Sequence, residues 1–210
     1  MLSSTIAPYL LTCLLIELTP GPNMGFLALV AATKGRKLGF YTVAGITLGL
    51  LTVGLLAAIG LATIIDRSDF LYETLRFGGG AYLLWLAWQQ WREADGSLLE
   101  LKPSVSKIRQ YFRYGLAVNL LNPKAAVFYI AILPTYLNTS DNNAGSTVLD
   151  AIGLTLIYVS IASLIHVLIV VFAGSLQPVL QKDRLRKTTA RILAVLLAAV
   201  AVWMVLHTAR

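Results

Sequence analysis

The chain reads as an all-α membrane protein. It is expected to hold six transmembrane helices in two inverted three-helix repeats, with the first and fourth helices broken by proline. Three observations point there. The 210 residues are 57% hydrophobic and only 13% charged, with a mean hydropathy of +0.74, whereas soluble domains are about a quarter charged. The charges are also clumped. They leave six nearly uncharged stretches, about 3–33, 38–65, 71–91, 114–137, 151–176 and 192–209, each near the 20 or so residues a spanning helix needs. Finally, the basic residues alternate between the loops. Lys34, Arg36 and Lys37 follow the first stretch. Arg92, Lys102, Lys107, Arg109 and Arg113 follow the third, and Lys182, Arg184, Arg186, Lys187 and Arg191 follow the fifth. The opposite side has only Arg67, Arg76 and Arg210. Lys and Arg collect in cytoplasmic loops, so both termini are expected to face outward. The net charge of +7 belongs to these loops and does not indicate a nucleic-acid partner.

Taken in order, the first stretch lacks a basic leader and a small-residue cleavage pattern, and it outruns a signal-peptide core. It is expected to remain as the first span. Within it, Thr19-Pro20-Gly21-Pro22-Asn23 interrupts the helix, because proline removes a backbone N–H and clashes with the preceding turn. The second stretch carries Gly45 and Gly49, a small-xxx-small pair that lets helix backbones approach closely. The third is the least apolar, with Glu73 and Arg76 at its start. Its Gly78-Gly79-Gly80 run reads as close packing, since no strand precedes it and no Lys-Ser/Thr follows. A charged loop over about 93–111, containing Pro103, separates half-repeats at about 1–92 and 112–210 of a single membrane domain, 1–210. The fourth stretch is broken at Asn122-Pro123-Lys124. Asn138–Asn143 is turn chemistry. The fifth carries His166. The sixth opens with Arg191 and has Trp203 twelve residues on, as Arg76 and Trp88 stand in the third. Three spans per half make the halves inverted, and inverted repeats with discontinuous helices are a transporter signature.

The two breaks carry the candidate site. Irregular backbone at membrane depth survives only inside protein or beside a watery cavity. Thr19 is placed to cap a half-helix restarting at Pro20. The amides around Pro20, Gly21 and Pro22, with the positive end of that half-helix, suit a carboxylate, and Asn23 adds an amide. Glu17, one turn earlier, is a deeply placed acid that costs roughly 2.5–3.5 kcal/mol to insert. It reads as a proton carrier, as a contact for a substrate amino group, or as the ion partner of Lys124. Asn119 and Asn122 share a helical face and, with Pro123 and Lys124, form a polar cluster. His166 suits proton coupling, although a lone His on an apolar helix also packs. Tyr41, Tyr129 and Tyr158 are cavity candidates that spacing does not separate. Cys13 is the single cysteine, which excludes an intrachain disulfide and paired-thiol electron transfer, and it reads as a buried small hydrophobe.

At Leu18-Thr19-Pro20-Gly21-Pro22-Asn23, at Lys34-Gly35-Arg36-Lys37-Leu38-Gly39, and at Asn119-Leu120-Leu121-Asn122-Pro123-Lys124-Ala125-Ala126 the chain resembles the lysine exporter and homoserine/threonine exporter family (LysE/RhtB). The resemblance implies a multi-pass protein of the bacterial inner membrane. It implies export of amino acids or their derivatives, driven by the proton gradient, with no cofactor and no enzymatic activity. The partners expected are a small-molecule substrate and membrane lipid, with a homo-oligomer left open. Many members have an acid after the second-span glycine, where this chain has Leu50, so Glu17 is the candidate to supply that carboxylate. The alternative is a metal or inorganic-ion transporter of the same architecture. Divalent cations want several oxygen, His or thiolate ligands, and Glu17 and His166 are too few.

Overall fold

The structure is a computed structural model that describes residues 2–19, 21–59, 69–93, 105–137, 144–175 and 183–207. Pro20, Pro103, the loop Asn138–Asn143 and the loop or terminal cations Arg67, Lys102, Lys182 and Arg210 lie outside them. The described residues form eight α-helices and no strand: α1 (Leu2–Leu18), α2 (Pro22–Lys34), α3 (Arg36–Ala58), α4 (Asp69–Glu93), α5 (Val105–Leu120), α6 (Pro123–Val127), α7 (Ala144–Ser175) and α8 (Asp183–His207). A π-helical turn, Phe128–Ile132, and a 3₁₀ turn, Leu133–Tyr136, extend α6.

Both breaks fall where the prolines put them. The axes of Ile6–Leu18 and Pro22–Lys34 differ by 56°, and those of Val105–Leu120 and Lys124–Tyr136 by 51°. Among the described residues, α3 and the Val148–Ser175 part of α7 are each long and apolar enough to cross a membrane, and the count is four if each bent pair is one span. The second bent element begins earlier than its apolar stretch. Helix α5 starts at Val105, inside the segment expected as loop, because that segment is amphipathic. Tyr111 turns inward while Arg109 and Arg113 stay exposed.

Helix α2 is the centre of the bundle. Eight of its thirteen residues are buried, and its two faces feed two cores. Leu27 and Ala31 pack with Ile46, Leu50, Phe128, Tyr129 and Tyr158. Phe26, Leu29 and Val30 pack with Leu83, Leu86, Tyr111 and Leu197. Cys13 is buried in the first core. A single residue, Gly35, turns the chain from α2 into α3. Its φ of 91° lies in the region that only glycine enters at no steric cost. Beside it, the Arg36 guanidinium donates twice to the Val171 carbonyl, at 3.1 and 3.2 Å, and ties this corner to α7.

The glycines read as packing residues bring backbones together. A Cβ on Gly45 would strike the Phe112 carbonyl oxygen, and one on Gly115 the Thr42 carbonyl oxygen, so α3 and α5 touch main chain to main chain. One turn on, a Cβ on Gly49 would lie 2.8 Å from the Asn119 amide nitrogen. On α4, a Cβ on Gly79 would strike the Leu121 carbonyl oxygen at the second break, while Gly78 faces open space.

These neighbouring glycines make a paired prediction. Gly79→Ala must push a backbone aside and should destabilise by about 1–3 kcal/mol. Gly78→Ala gains helix propensity with nothing to hit and should stabilise by about 0.5–1 kcal/mol. Thermal unfolding in detergent checks the order, and equal shifts for the two variants contradict the packing described.

Candidate functional site

The two breaks meet at one pocket, lined by Glu17 from α1, Gly21, Asn23 and Met24 at the start of α2, Leu50 from α3, Asn122, Lys124 and Ala125 at the start of α6, and Tyr158 from α7. The space free at its centre is about 10 Å³, close to the room one water molecule needs. Glu17 and Lys124 thus line the same cavity, although neither serves as the other's hydrogen-bond partner.

Glu17 is 5% exposed and turns to α7. The Tyr158 hydroxyl donates to its Oε1 at 2.6 Å, and His166 Nε2 stands 3.5 Å from its Oε2. Tyr158 and His166 lie eight residues apart, on one face of α7. Both are fully buried, and neither His166 ring nitrogen has a hydrogen-bond partner among the described residues. The Tyr158 ring is held by stacking on Phe128, with centroids 3.6 Å apart and planes at 16°, and by an edge contact from Tyr129 at 5.6 Å. The π-helical turn presents those two aromatics side by side. Tyr129 spends its hydroxyl on the Leu50 carbonyl at 3.0 Å, and Tyr41 is exposed. Of the three cavity tyrosines, Tyr158 alone lines the pocket. Its eight-residue spacing from His166 was the available signal in the sequence.

Lys124 reaches across to the other break, where its Nζ donates to the Thr19 carbonyl at 2.7 Å. That carbonyl sits at the end of α1, where a helix leaves its last C=O groups without internal partners and gathers negative dipole charge. The lysine stem also passes Gly21, where a Cβ would be 3.2 Å from Lys124 Cδ. Asn122 is the N-cap of α6, and its Oδ1 accepts from the Lys124 amide at 3.0 Å. Pro123 occupies the first helical position, where its missing N–H costs nothing.

The expected cap at Thr19 is corrected. Its hydroxyl donates back to the Leu15 carbonyl at 2.9 Å, and α2 starts later, with Gly21 as N-cap and Pro22 first in the helix. Threonine at the end of a helix readily bonds the carbonyl four residues back. Asn23 and Asn119 join the breaks by a second route. Asn23 Nδ2 donates to Asn119 Oδ1 at 2.9 Å, while the remaining amide atoms, Asn23 Oδ1 and Asn119 Nδ2, are buried without a partner among the described residues. Buried polar atoms left unpaired call for an explanation, and Asn23 lines the pocket. Among the described residues, no group of three or more His, Cys, Asp or Glu could hold a metal ion.

A family model described as LysE type translocator matches residues 14–208. The chain is 34% identical over 129 residues to a homoserine/homoserine lactone efflux protein of Salmonella typhimurium, covering 61% of this chain and 63% of that protein. It is 31% identical over 134 residues to a threonine efflux protein of Escherichia coli K12, covering 62% and 64%. It is also 33% identical over 127 residues to the E. coli membrane protein YahN, covering 57% and 54%. The matched stretch is thus under two thirds of each relative's length. No solved structure matches.

The Glu17 partnership predicts an ordering of stabilities. Tyr158→Phe strips a buried carboxylate of its donor and should cost about 1.5–3 kcal/mol, whereas Tyr129→Phe removes a bond between neutral groups and should cost about 0.5–1.5 kcal/mol. Equal losses in detergent unfolding contradict the Glu17 partnership.

Proposed function

Because the chain belongs to the LysE type translocator family, we propose that it exports amino acids or their derivatives across the bacterial inner membrane, driven by the proton-motive force. The observation that carries the reading is the shared pocket, where a carboxylate from one broken span and an ammonium from the other line one space. A zwitterion presents the complementary pair of charges. Efflux relatives named for homoserine and threonine support an amino-acid cargo.

In this reading the single membrane domain has six spans, with α1/α2 and α5/α6 as the broken first and fourth spans. The 25-residue helices α4 and α8 supply the third and sixth. The halves, about 1–92 and 112–210, are inverted repeats, both termini lie outside, and rocking of the halves alternates access to the pocket. The substrate carboxylate takes the Lys124 ammonium from the Thr19 carbonyl and adds the amides at the start of α2, around Gly21, Pro22 and Asn23, where a helix N-terminus favours an anion. Asn119 and Asn122 hold this half of the site in place. The substrate ammonium faces Glu17.

Glu17 and His166 form the proton-coupling pair. A proton shared across their 3.5 Å gap draws them together, and its loss releases the carboxylate toward the substrate. Leu50 lines the same pocket at the position where many family members carry an acid. Glu17 therefore supplies from α1 the charge that others supply from α3.

Export of labelled amino acids from proteoliposomes tests these roles. Glu17→Gln and Lys124→Met should each slow export by roughly 10- to 100-fold, the value of a charge-assisted contact. Adding Leu50→Asp to Glu17→Gln should recover part of the loss, and no recovery refutes the exchange of positions. His166→Asn should keep substrate exchange while losing export driven by a pH gradient; if both survive, His166 is a packing residue.

A further inference from the structure

A cation stands at the end of α1, the Lys124 ammonium on the Thr19 carbonyl. We propose that this is also the binding place of the cargo's own ammonium, and that loading exchanges one primary ammonium for another. The inference rests on the amino-acid export proposed above. It adds the group that the pocket selects, a free primary amine, and the atom that reads it, the Thr19 carbonyl oxygen.

The place suits an ammonium. Carbonyls at the end of a helix gather negative charge, and the Thr19 carbonyl takes Lys124 Nζ at 2.7 Å. Glu17, two residues earlier, brings a carboxylate to the same pocket. Nζ also stands close to Gly21, the N-cap of α2, where a Cβ would lie 3.7 Å from it. That helix end is positive. The lysine thus rests its charge between an attractive helix end and a repulsive one. An α-amino acid answers both ends, because its carboxylate and its ammonium hang from one carbon. The carboxylate meets α2 and the ammonium meets α1.

Space makes the event an exchange. The room free at the centre of the pocket is about 10 Å³, enough for one water molecule and too little for a second ammonium with its carbon frame. When a cargo carboxylate draws Lys124 away, the Thr19 carbonyl loses its donor, and an acceptor left unpaired out of water is costly. The cargo ammonium restores that bond with the same kind of group. A primary ammonium has three N–H groups, which serve Thr19 and Glu17 together. A trimethylammonium keeps the charge and has no N–H, and a plain carboxylic acid has neither. Neither replaces Lys124 in kind.

Two measurements on the full chain test the proposal. In proteoliposomes exporting labelled L-threonine, N,N,N-trimethyl-L-threonine and 3-hydroxybutyrate, which is threonine without its amino group, should each compete about 10- to 100-fold more weakly than unlabelled L-threonine, the value of a charge-assisted bond. The second analogue is smaller than threonine, so its weakness is not a matter of bulk. Competition by 3-hydroxybutyrate as strong as that by L-threonine overturns the proposal. In detergent, Lys124→Ala loses the equivalent of n-propylammonium. That ion, at about five times its Kd, should raise the unfolding midpoint of Lys124→Ala by about 2–4 °C and leave the unaltered chain unmoved. No shift, an equal shift in the unaltered chain, or an equal shift with tetramethylammonium or sodium ions overturns the proposal. The competition measurement uses the unaltered chain and decides the matter if Lys124→Ala does not fold. Absence of any amino-acid export sinks the export reading instead, and the detergent shifts then decide the ammonium site by themselves.

Discussion

A helix that breaks inside a bilayer bares carbonyl and amide groups where no water can reach them. In this chain the second break settles part of the first one's deficit, and a side-chain bond ties the two together. The carbonyl left bare at the end of α1 takes its hydrogen from Lys124, which stands just past the second break. Asn23, just past the first break, reaches Asn119, just before the second. These cross-connections hold two segments, about 100 residues apart in sequence, against one another, and the pocket is the space between them. Proline alone explains why each helix stops. It does not explain why the stops coincide in space, which follows from the need to satisfy the freed groups.

The charges in the pocket follow the same logic. A direct ion pair between Glu17 and Lys124 would neutralise both and leave little for a ligand to exchange. Instead each is held by a neutral partner, a tyrosine hydroxyl for the acid and a backbone carbonyl for the base. In each contact only one partner is ionised, whereas a substrate carboxylate or ammonium brings the full opposite charge. In the proposed function, an incoming zwitterion displaces what holds each charge.

Much of this was legible in the chain. Proline positions marked both breaks, because the ring's steric demand acts locally whatever surrounds it. Gly45 and the Gly78-Gly79-Gly80 run marked close packing, though only the fold distinguishes Gly79, pressed on Leu121, from Gly78 in the open. What was misread depended on competition between local options. Thr19 had the composition of a cap and bonded backward instead. The segment from Val105 has the charge of a loop, but the period of those charges is helical and puts Tyr111 inward and Arg109 outward. Tyr158 was one of three equivalent tyrosines until the fold stacked it on Phe128 and turned its hydroxyl to Glu17. The partner of a buried acid is set by distant chain, and nothing near Glu17 in sequence names it.

The fourteen residues after the second break, Pro123–Tyr136, run through an α turn, a π turn and a 3₁₀ turn in succession. Their ladders bond residues four, five and three apart. A segment that already mixes all three can move a wide turn along itself by handing each carbonyl to the neighbouring amide, one bond made as one is given up. Such a migrating dislocation rotates the side chains it passes without baring the backbone. The residues first in its path are Phe128 and Tyr129, the clamp on Tyr158. The second broken span thus carries its mixed turns directly beneath the aromatics that hold Tyr158, and through Tyr158 they border the grip on Glu17.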